Sequence, residues 1–599
     1  MYQTMAEVAE KNSVLNGGEF IIRDASPQDI LIPEDINEDQ KMVVQMVESF
    51  RKEAGEKATQ LEHQPALMEK AGELGLLGCH IPEEYGGMPL DTNTNTFISE
   101  YLGRMGGGFA TTIAAHTGIG MLPILYFGTE EQKKTYLPKL ASGEWKASYC
   151  LTEPGSGSDA LAAKTRADLS DDGKEYIING QKMWISNAGF ANMFIVFAQV
   201  DGDKFTGFIV EADRPGITLG AEEHKLGIKG SSTRQVFFEN VRVPVDHVLG
   251  EIGKGHLIAF SALNIGRFKL GVMCMGGCKL AIGTGVQYAN ERHQFGKPIS
   301  SFGAIQYKIA EQSIRTFALE SACYRVSDQL QDKKAALMAA GSNYADAMRD
   351  AAEEYAVECA IIKVYGSEVT DYVVDEFVQI YGGYGFSEEY PPAQAYRDSR
   401  INRIYEGTNE INRLLMVSQL LKRAMKGKID MVGPAWEVQK ELASMPSFEQ
   451  PEGAYGQERK ALKDFKKIIL MTAGAAVKMQ MDGQLDIKNE QEVVMNVADM
   501  MIDTYVAESM LLRVERLAGM SDKKHQQEVY DAMLRVYFHD AQARIEKAAK
   551  DALASFAEGD LLKTFLMGVK RYTKYPPVNV KNARRLIAKQ VIEANDYCF

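Results

Sequence analysis

Tyr176-Ile177-Ile178-Asn179-Gly180-Gln181-Lys182-Met183-Trp184-Ile185-Ser186 reads as strand in a chain otherwise patterned for helix. Its Asn179-Gly180 pair suits the positive φ angles of a type I′ turn, so the stretch predicts a β-hairpin. Apolar runs over 192–200, 206–212 and 234–244 follow at roughly ten-residue intervals, the spacing of a small barrel or sandwich.

On either side of this region the period changes. Residues 38–58 and 65–78 and an Ala-rich run near 109–118 carry helical patterns, separated by turn signals such as PEEYGGMP. Beyond the strands, long helical patterns return over 257–292, 305–330 and 337–369, and their short connections suggest a four-helix bundle. Breaks at 427–433 and 445–457 precede a further helical region that includes 464–479 and 496–519. The expected architecture is mostly α with a central β domain. It divides into an N-terminal extension (1–36), a helical domain (37–146), a β barrel or sandwich (147–250), a four-helix bundle (251–426), a linker (427–457) and a helical extension (458–599).

At 599 residues the chain is too long for one core. Its apolar fraction of 45% is that of a globular protein, and its net charge of −14 argues against nucleic-acid binding, which needs a basic surface. The seven cysteines form no CxxC pair, so reduced thiols are the simpler expectation. The first fifteen residues lack the basic start and apolar run of a secretory signal. No uninterrupted apolar stretch reaches the roughly 18 to 20 residues that cross a bilayer. A soluble cytoplasmic protein is expected.

No GxGxxG follows a strand, no GxxxxGK[ST] occurs, and the nine histidines show no ligand spacing, so no Rossmann site and no metal are expected. Four other segments are unusual. Tyr149-Cys150-Leu151-Thr152-Glu153-Pro154-Gly155-Ser156-Gly157-Ser158-Asp159 enters as a strand and becomes a Gly- and hydroxyl-rich loop, either a ligand-facing loop or an ordinary turn. Trp184 stands next but one to Ser186, where a core indole is the commoner meaning. Arg292-His293-Gln294-Phe295-Gly296 closes a bundle helix, either as a phosphate and amide site or as a solvated helix end. The last unites Gln379-Ile380-Tyr381-Gly382-Gly383 with Arg403-Ile404-Tyr405-Glu406-Gly407-Thr408-Asn409-Glu410-Ile411. Glu406 lies between an apolar pair and a helix start, so burial would raise its pKa and the helix N-terminus lower it. Such a carboxylate suits a general base near neutrality, although a surface Glu supporting a helix start fits the segment too.

In this order and spacing the four segments resemble the acyl-CoA dehydrogenase family over about 37–425. LNIGRFKLG (263–271), RIYEGTNEINR (403–413) and the helical region past 430 look most like its very-long-chain branch. The resemblance implies FAD between the β domain and the bundle, which answers the missing Rossmann loop. Tyr149, Leu151, Thr152, Trp184 and Ser186 match positions around the flavin ring, with Ser186 near N5 and Trp184 against the ring. Arg292, Gln294, Phe295, Gln379 and Gly383 match positions that reach the FAD of a neighbouring subunit, so at least a dimer is implied. Thr408 and Glu410 match the cofactor-facing turn.

For substrate, Ser158 matches a position near the CoA pantetheine, Asn264 and Arg267 match the CoA-contacting helix, and Tyr405 and Gly407 flank the base. Glu406 matches the base itself. Some family members carry it instead before the Arg of the segment corresponding to LNIGR, where this chain has Gly266. The implied reaction removes the α-proton of a fatty acyl-CoA to Glu406 and the β-hydride to flavin N5. It gives a trans-2-enoyl-CoA, with the Glu406 N–H and a ribityl hydroxyl on the thioester oxygen. Electron-transferring flavoprotein is the implied acceptor and fatty acid β-oxidation the implied setting. An acyl-CoA oxidase, a turnover-silent scaffold of the same fold and a nitroalkane oxidase are the alternatives. Ala114, Ala115, Gly118 and Gly120 either leave room for a long acyl tail or pack helices closely. The extension would replace a tetramer contact and leave a dimer. Its run 468–477, preceded by Lys463, Lys466 and Lys467, reads as a buried core helix or, less readily, as a peripheral membrane contact.

Overall fold

Helices of the N-terminal region begin where the sequence supplies caps. In the computed structural model, which describes residues 14–444 and 451–599, Asn37 accepts the Gln40 N–H at 2.9 Å while the Gln40 side chain accepts the Asn37 N–H. That capping box opens helix Glu38–Ala54, and Thr129 with Gln132 opens Glu130–Ala141 in the same way. Between them lie Gln64–Glu73, Thr92–Gly103 and Gly107–Ala114; the last widens into a π turn at Ala115–Gly120 before continuing as Leu122–Phe127. The stretch read for a secretory signal and part of the break at 445–457 fall outside the described residues.

The central region is one eight-stranded sheet: β1 Ala147–Cys150, β2 Arg166–Leu169, β3 Glu175–Ser186, β4 Met193–Val200, β5 Lys204–Glu211, β6 Ile217–Leu219, β7 Thr233–Pro244 and β8 Val248–Leu249. The order is β6-β7-β3-β2-β4-β5-β8, with β1 pairing parallel to β4. The terminal strands β6 and β8 do not pair with each other, so the sheet is not a closed barrel. Alternation along β4 sends Phe194, Val196 and Ala198 into the sheet's own core and Met193, Ile195 and Phe197 onto the main core. The expected hairpin is corrected here: β3 runs through Asn179-Gly180 without turning. Its pairing with β7 shifts register between Ile178 and Gly180, so the glycine sits at a bulge. A Cβ there would stand 2.4 Å from Thr165 Oγ1, so a close approach demands the glycine.

Helices Gly255–Glu291, Gly303–Ala339, Ala356–Tyr381 and Asn409–Met425 form the bundle, with Tyr344–Glu354 and Pro391–Ser399 in its connections. The segment expected as a linker contains a helix, Val432–Leu442, whose Val438 joins the main core. Gly456–Met481, Gln491–Gly519, Gln527–Phe556, Gly559–Tyr572 and Val580–Ala594 complete the chain, and the second and last of these pack along Gly303–Ala339. Ile468, Ile469, Leu470, Met471 and Ala473 are buried in that core, Lys466 pairs with Glu508 and Asp24, and Lys467 pairs with Glu441. The apolar part of that run is therefore core helix.

Residues 14–36 are a strap rather than a loose extension. Gly17 and Gly18 donate their N–H groups to Glu354 and Glu358 of the bundle, while Glu34 and Asp35 pair with Arg513 and Arg516 of the extension. A buried charge network joins the N-terminal helices, the bundle and the C-terminal extension: Lys279 bonds Glu100 and Glu320, and Glu320 also accepts from Arg513 and Tyr597. Two helical stretches, 107–127 and 255–291, are long and apolar enough to cross a membrane by length and mean hydropathy, although polar residues interrupt both. Most of each apolar window is buried inside the fold.

Candidate active site

Reversal of the chain between Pro391–Ser399 and Asn409–Met425 requires two successive left-handed residues, Glu406 at φ 57° and Gly407 at φ 79°. A left-handed glutamate is strained, and the surroundings hold it there. Asn412 Nδ2 donates to the carbonyls of Glu406, Gly407 and Thr408 at 3.3, 2.8 and 3.0 Å. Lys363 Nζ donates to the Gly407 carbonyl and to Asn409 Oδ1, both at 2.7 Å. Arg267 Nε donates to the Glu406 carbonyl at 3.3 Å, and its Nη1 donates to Asn264 Oδ1 at 2.9 Å. The Thr408 hydroxyl caps the next helix by accepting the Ile411 N–H at 3.2 Å.

The Glu406 carboxyl lies against Gly266: a Cβ on that glycine would stand 2.9 Å from Oε2. Oε2 is buried and has no hydrogen-bond partner among the described residues. Loss of solvation raises the Glu406 pKa to about 7, against the opposing charges of Arg267 and Lys363. Two cations thus join the helix N-terminus, which the sequence suggested, on the lowering side.

Glu406, Tyr405 and Ser186 line a cavity of about 540 Å³ that runs between the N-terminal helices and the bundle. Gly266, Leu270, Met273, Gly277, Ala281 and Thr284 form one wall, a single stripe of the Gly255–Glu291 helix. Ala114, at the end of helix Gly107–Ala114, and Ala115 and Gly118 of the π turn also line the cavity. A Cβ at Gly118 would meet nothing within 4 Å, whereas one at Gly120 would meet Ala147 at 2.7 Å. Three of the four small residues therefore give room and the fourth gives close packing.

A second, open groove of about 640 Å³ gathers Arg292, Gln294 and Gly383, beside Tyr384, whose ring lies 5.5 Å from the Arg292 guanidinium. Arg292 stands at the far end of the same helix as Gly266, about 39 Å away at the helical rise. Phe295 is 93% exposed with φ 52°. The remaining predicted residues are scattered. Tyr149 is buried, its hydroxyl donating to the Ala259 carbonyl at 3.3 Å, and the Thr152 carbonyl accepts the Met183 N–H. Leu151 packs on the main core and Trp184 is 62% exposed with φ 57°. Ser158, Gln379 and Glu410 are exposed and line neither space. The Ser156 hydroxyl closes its own loop on the Asp159 carbonyl.

Models of the acyl-CoA dehydrogenase N-terminal, middle and C-terminal domains match residues 37–144, 148–241 and 253–421, and a further C-terminal domain model of the family matches 464–571. The chain belongs to the acyl-CoA dehydrogenase family. A "Probable acyl-CoA dehydrogenase" of Bacillus subtilis (strain 168) is 45% identical over 98% of both chains. The very long-chain specific acyl-CoA dehydrogenase of Bos taurus mitochondria is 35% identical, covering 89% of this chain and 83% of its own. A crystal structure of an acyl-CoA dehydrogenase complexed with FAD from Bacillus anthracis superposes with a TM-score of 0.93 at 43% identity, covering 98% of this chain and all of that one.

Membership makes the chain an FAD-dependent oxidoreductase, and its residues fit that cofactor. A large indole is left exposed at Trp184, two residues from Ser186 on the cavity wall. In the open groove, Gly382 and Gly383 leave free the space that a Cβ would take, beside a guanidinium and an amide suited to a diphosphate. Two residues that shape the site, Lys363 and Asn412, were not singled out from the sequence. A lysine inside the apolar run AIIKVYG was the available signal for the first.

Proposed function

We propose that Glu406 is the α-proton base of a long-chain fatty acyl-CoA dehydrogenase. The observation that carries this is the partnerless Glu406 oxygen, held by a strained turn at the wall of a long apolar cavity. With a pKa near 7 the carboxylate is ionised over much of the physiological range and basic enough to accept a proton from a carbon acid. The Glu406 N–H is assigned to the thioester oxygen, where it would stabilise developing enolate charge. Arg267, Lys363 and Asn412 hold the turn through its carbonyls, so the carboxylate loses little freedom on reaction. The chemistry FAD supplies when bound is acceptance of the β-hydride.

Tyr149, Leu151, Thr152, Trp184, Ser186, Thr408 and Glu410 are assigned to one flavin site, and Ser158, Asn264, Tyr405 and Gly407 to the acyl-CoA. The groove of Arg292, Gln294 and Gly383, with Phe295 and Gln379 outside its lining, is assigned to the FAD of a second subunit. The 39 Å or so between Gly266 and Arg292 supports this, because one extended dinucleotide does not span it. A homodimer follows, and the helices that cover Gly303–Ala339 favour a dimer over a larger assembly. The cavity wall from Gly266 to Thr284 is about 27 Å long. At roughly 1.2 Å per chain bond that admits an acyl chain of roughly twenty carbons. Electron-transferring flavoprotein as acceptor and a cytoplasmic setting in β-oxidation complete the proposal.

Anaerobic titration with acyl-CoAs of graded length, following flavin absorbance, tests it. Long saturated chains should bleach the wild-type flavin fully and short ones incompletely. Glu406→Gln should bind the same ligands with little bleaching, and wild-type reduction in that variant would reject the assignment.

A further inference from the structure

Against the acyl cavity lies a smaller chamber of about 30 Å³ that the reaction does not use. Its lining includes His80, Asn95, Lys269, Lys334 and Tyr344, the hydroxyl residues Thr92 and Ser99 and several apolar side chains, but no carboxylate. Lys269 lines both spaces, so its helix is the wall between them.

Lys269 is 7% exposed, and among the described residues no hydrogen bond or ion pair reaches its ammonium. Other buried lysines do not share this condition. Lys182 pairs with Glu153, Lys279 with Glu100 and Glu320, Lys466 with Glu508, and Lys363 is bound by a carbonyl and an amide oxygen. Lys334, also 7% exposed, lies 5.2 Å over the Tyr344 ring. The acidic group that acts on it, Asp91, is already bonded to the Thr94 N–H and hydroxyl at 2.8 and 2.6 Å. An ammonium buried without a partner is costly, and it needs either a counter-charge or loss of its proton. Burial lowers the Lys269 pKa only to about 8, which leaves it cationic at neutral pH. His80, whose pKa burial pushes well down, is neutral and supplies a ring N–H. At roughly 10–15 Å³ per water-sized group, the chamber takes one or two such groups.

We propose that the chamber is a binding site for a small monovalent anion of halide size, held by Lys269 and Lys334. The anion balances the charge in the wall of the acyl cavity.

Crystals of the FAD-bound full chain soaked in bromide test this by anomalous scattering, together with melting curves in halide and in gluconate at matched ionic strength. The expected result is a bromide peak within hydrogen-bonding reach of Lys269 and a higher Tm in halide. Both should vanish in Lys269→Met, which should melt no lower than wild type in gluconate because the uncompensated charge is gone. Water alone in the chamber of bromide-soaked crystals overturns the proposal, as does a halide response that persists in Lys269→Met. A peak without any melting difference in wild type means binding at crystal concentration only and overturns it too. Should Lys269→Met not fold, Lys334→Met and the wild-type bromide map decide the matter.

Discussion

Glu358 and Glu406 carry the same electrostatic signature and opposite surroundings. Burial raises both to about 7, and each keeps an Oε2 without a partner among the described residues. Glu358, 1% exposed, sits in the first turn of helix Ala356–Tyr381, its other oxygen taken by the Gly18 N–H of the strap. Glu406 sits on a left-handed turn whose carboxyl meets a glycine and an apolar cavity. A raised pKa marks desolvation, and only space for a reacting carbon beside the oxygen turns desolvation into catalysis.

The sharpest way to break this comparison is to replace each in turn. Glu406→Gln should slow acyl-CoA-dependent flavin reduction by on the order of a hundredfold to ten-thousandfold, whereas Glu358→Gln should stay within a few-fold in the same stopped-flow assay. Equal losses would end the distinction. Stability separates them next. A carboxylate whose folded pKa lies above its unfolded value contributes stability fully present below about 4.5, which is lost as pH rises through about 7. In denaturant titrations, Glu358→Gln should therefore remove a loss of on the order of 3 kcal/mol between those limits. Gln keeps an acceptor for the Gly18 N–H, so the variant should gain above pH 7.

Because only Glu406 opens on the cavity proposed for the acyl chain, filling that cavity should be felt there alone. Gly118→Leu, placed where a Cβ meets open space, should lower kcat/KM for the longest acyl chains by roughly tenfold and leave short chains near wild type. The smallest effect concerns pH. The kcat/KM of the free enzyme should rise with pH through about 7 as Glu406 ionises. Lys363→Met removes a cation that lowers this pKa, so the profile should move alkaline by about one unit. Glu358→Gln should leave the profile in place.

Most of the architecture was legible because period is a local property. Helical and strand periods alternate along the chain in the order in which the regions fold, and a charged turn rich in Gly and Thr pointed to Glu406. Local pattern failed where space decides. Asn179-Gly180 has turn chemistry, yet Thr165 presses against Gly180 and a neighbouring strand continues past it, so the chain bulges instead of reversing. Gly118 and Gly120 look alike in sequence, but one faces a void and the other faces Ala147. Lys363 and Lys269 lie in apolar helices, where a lone lysine can be noticed but not given a role: that depends on Gly407 in one case and on an enclosed chamber in the other.

Trp184 is one of three tryptophans, with Trp145 near the sheet and Trp436 in the C-terminal helices. An exposed indole assigned to the flavin gives the molecule its own optical gauge. Isoalloxazine absorbs where indole emits, so loss of the prosthetic group should appear as a rise in intrinsic fluorescence that Trp184→Phe largely abolishes.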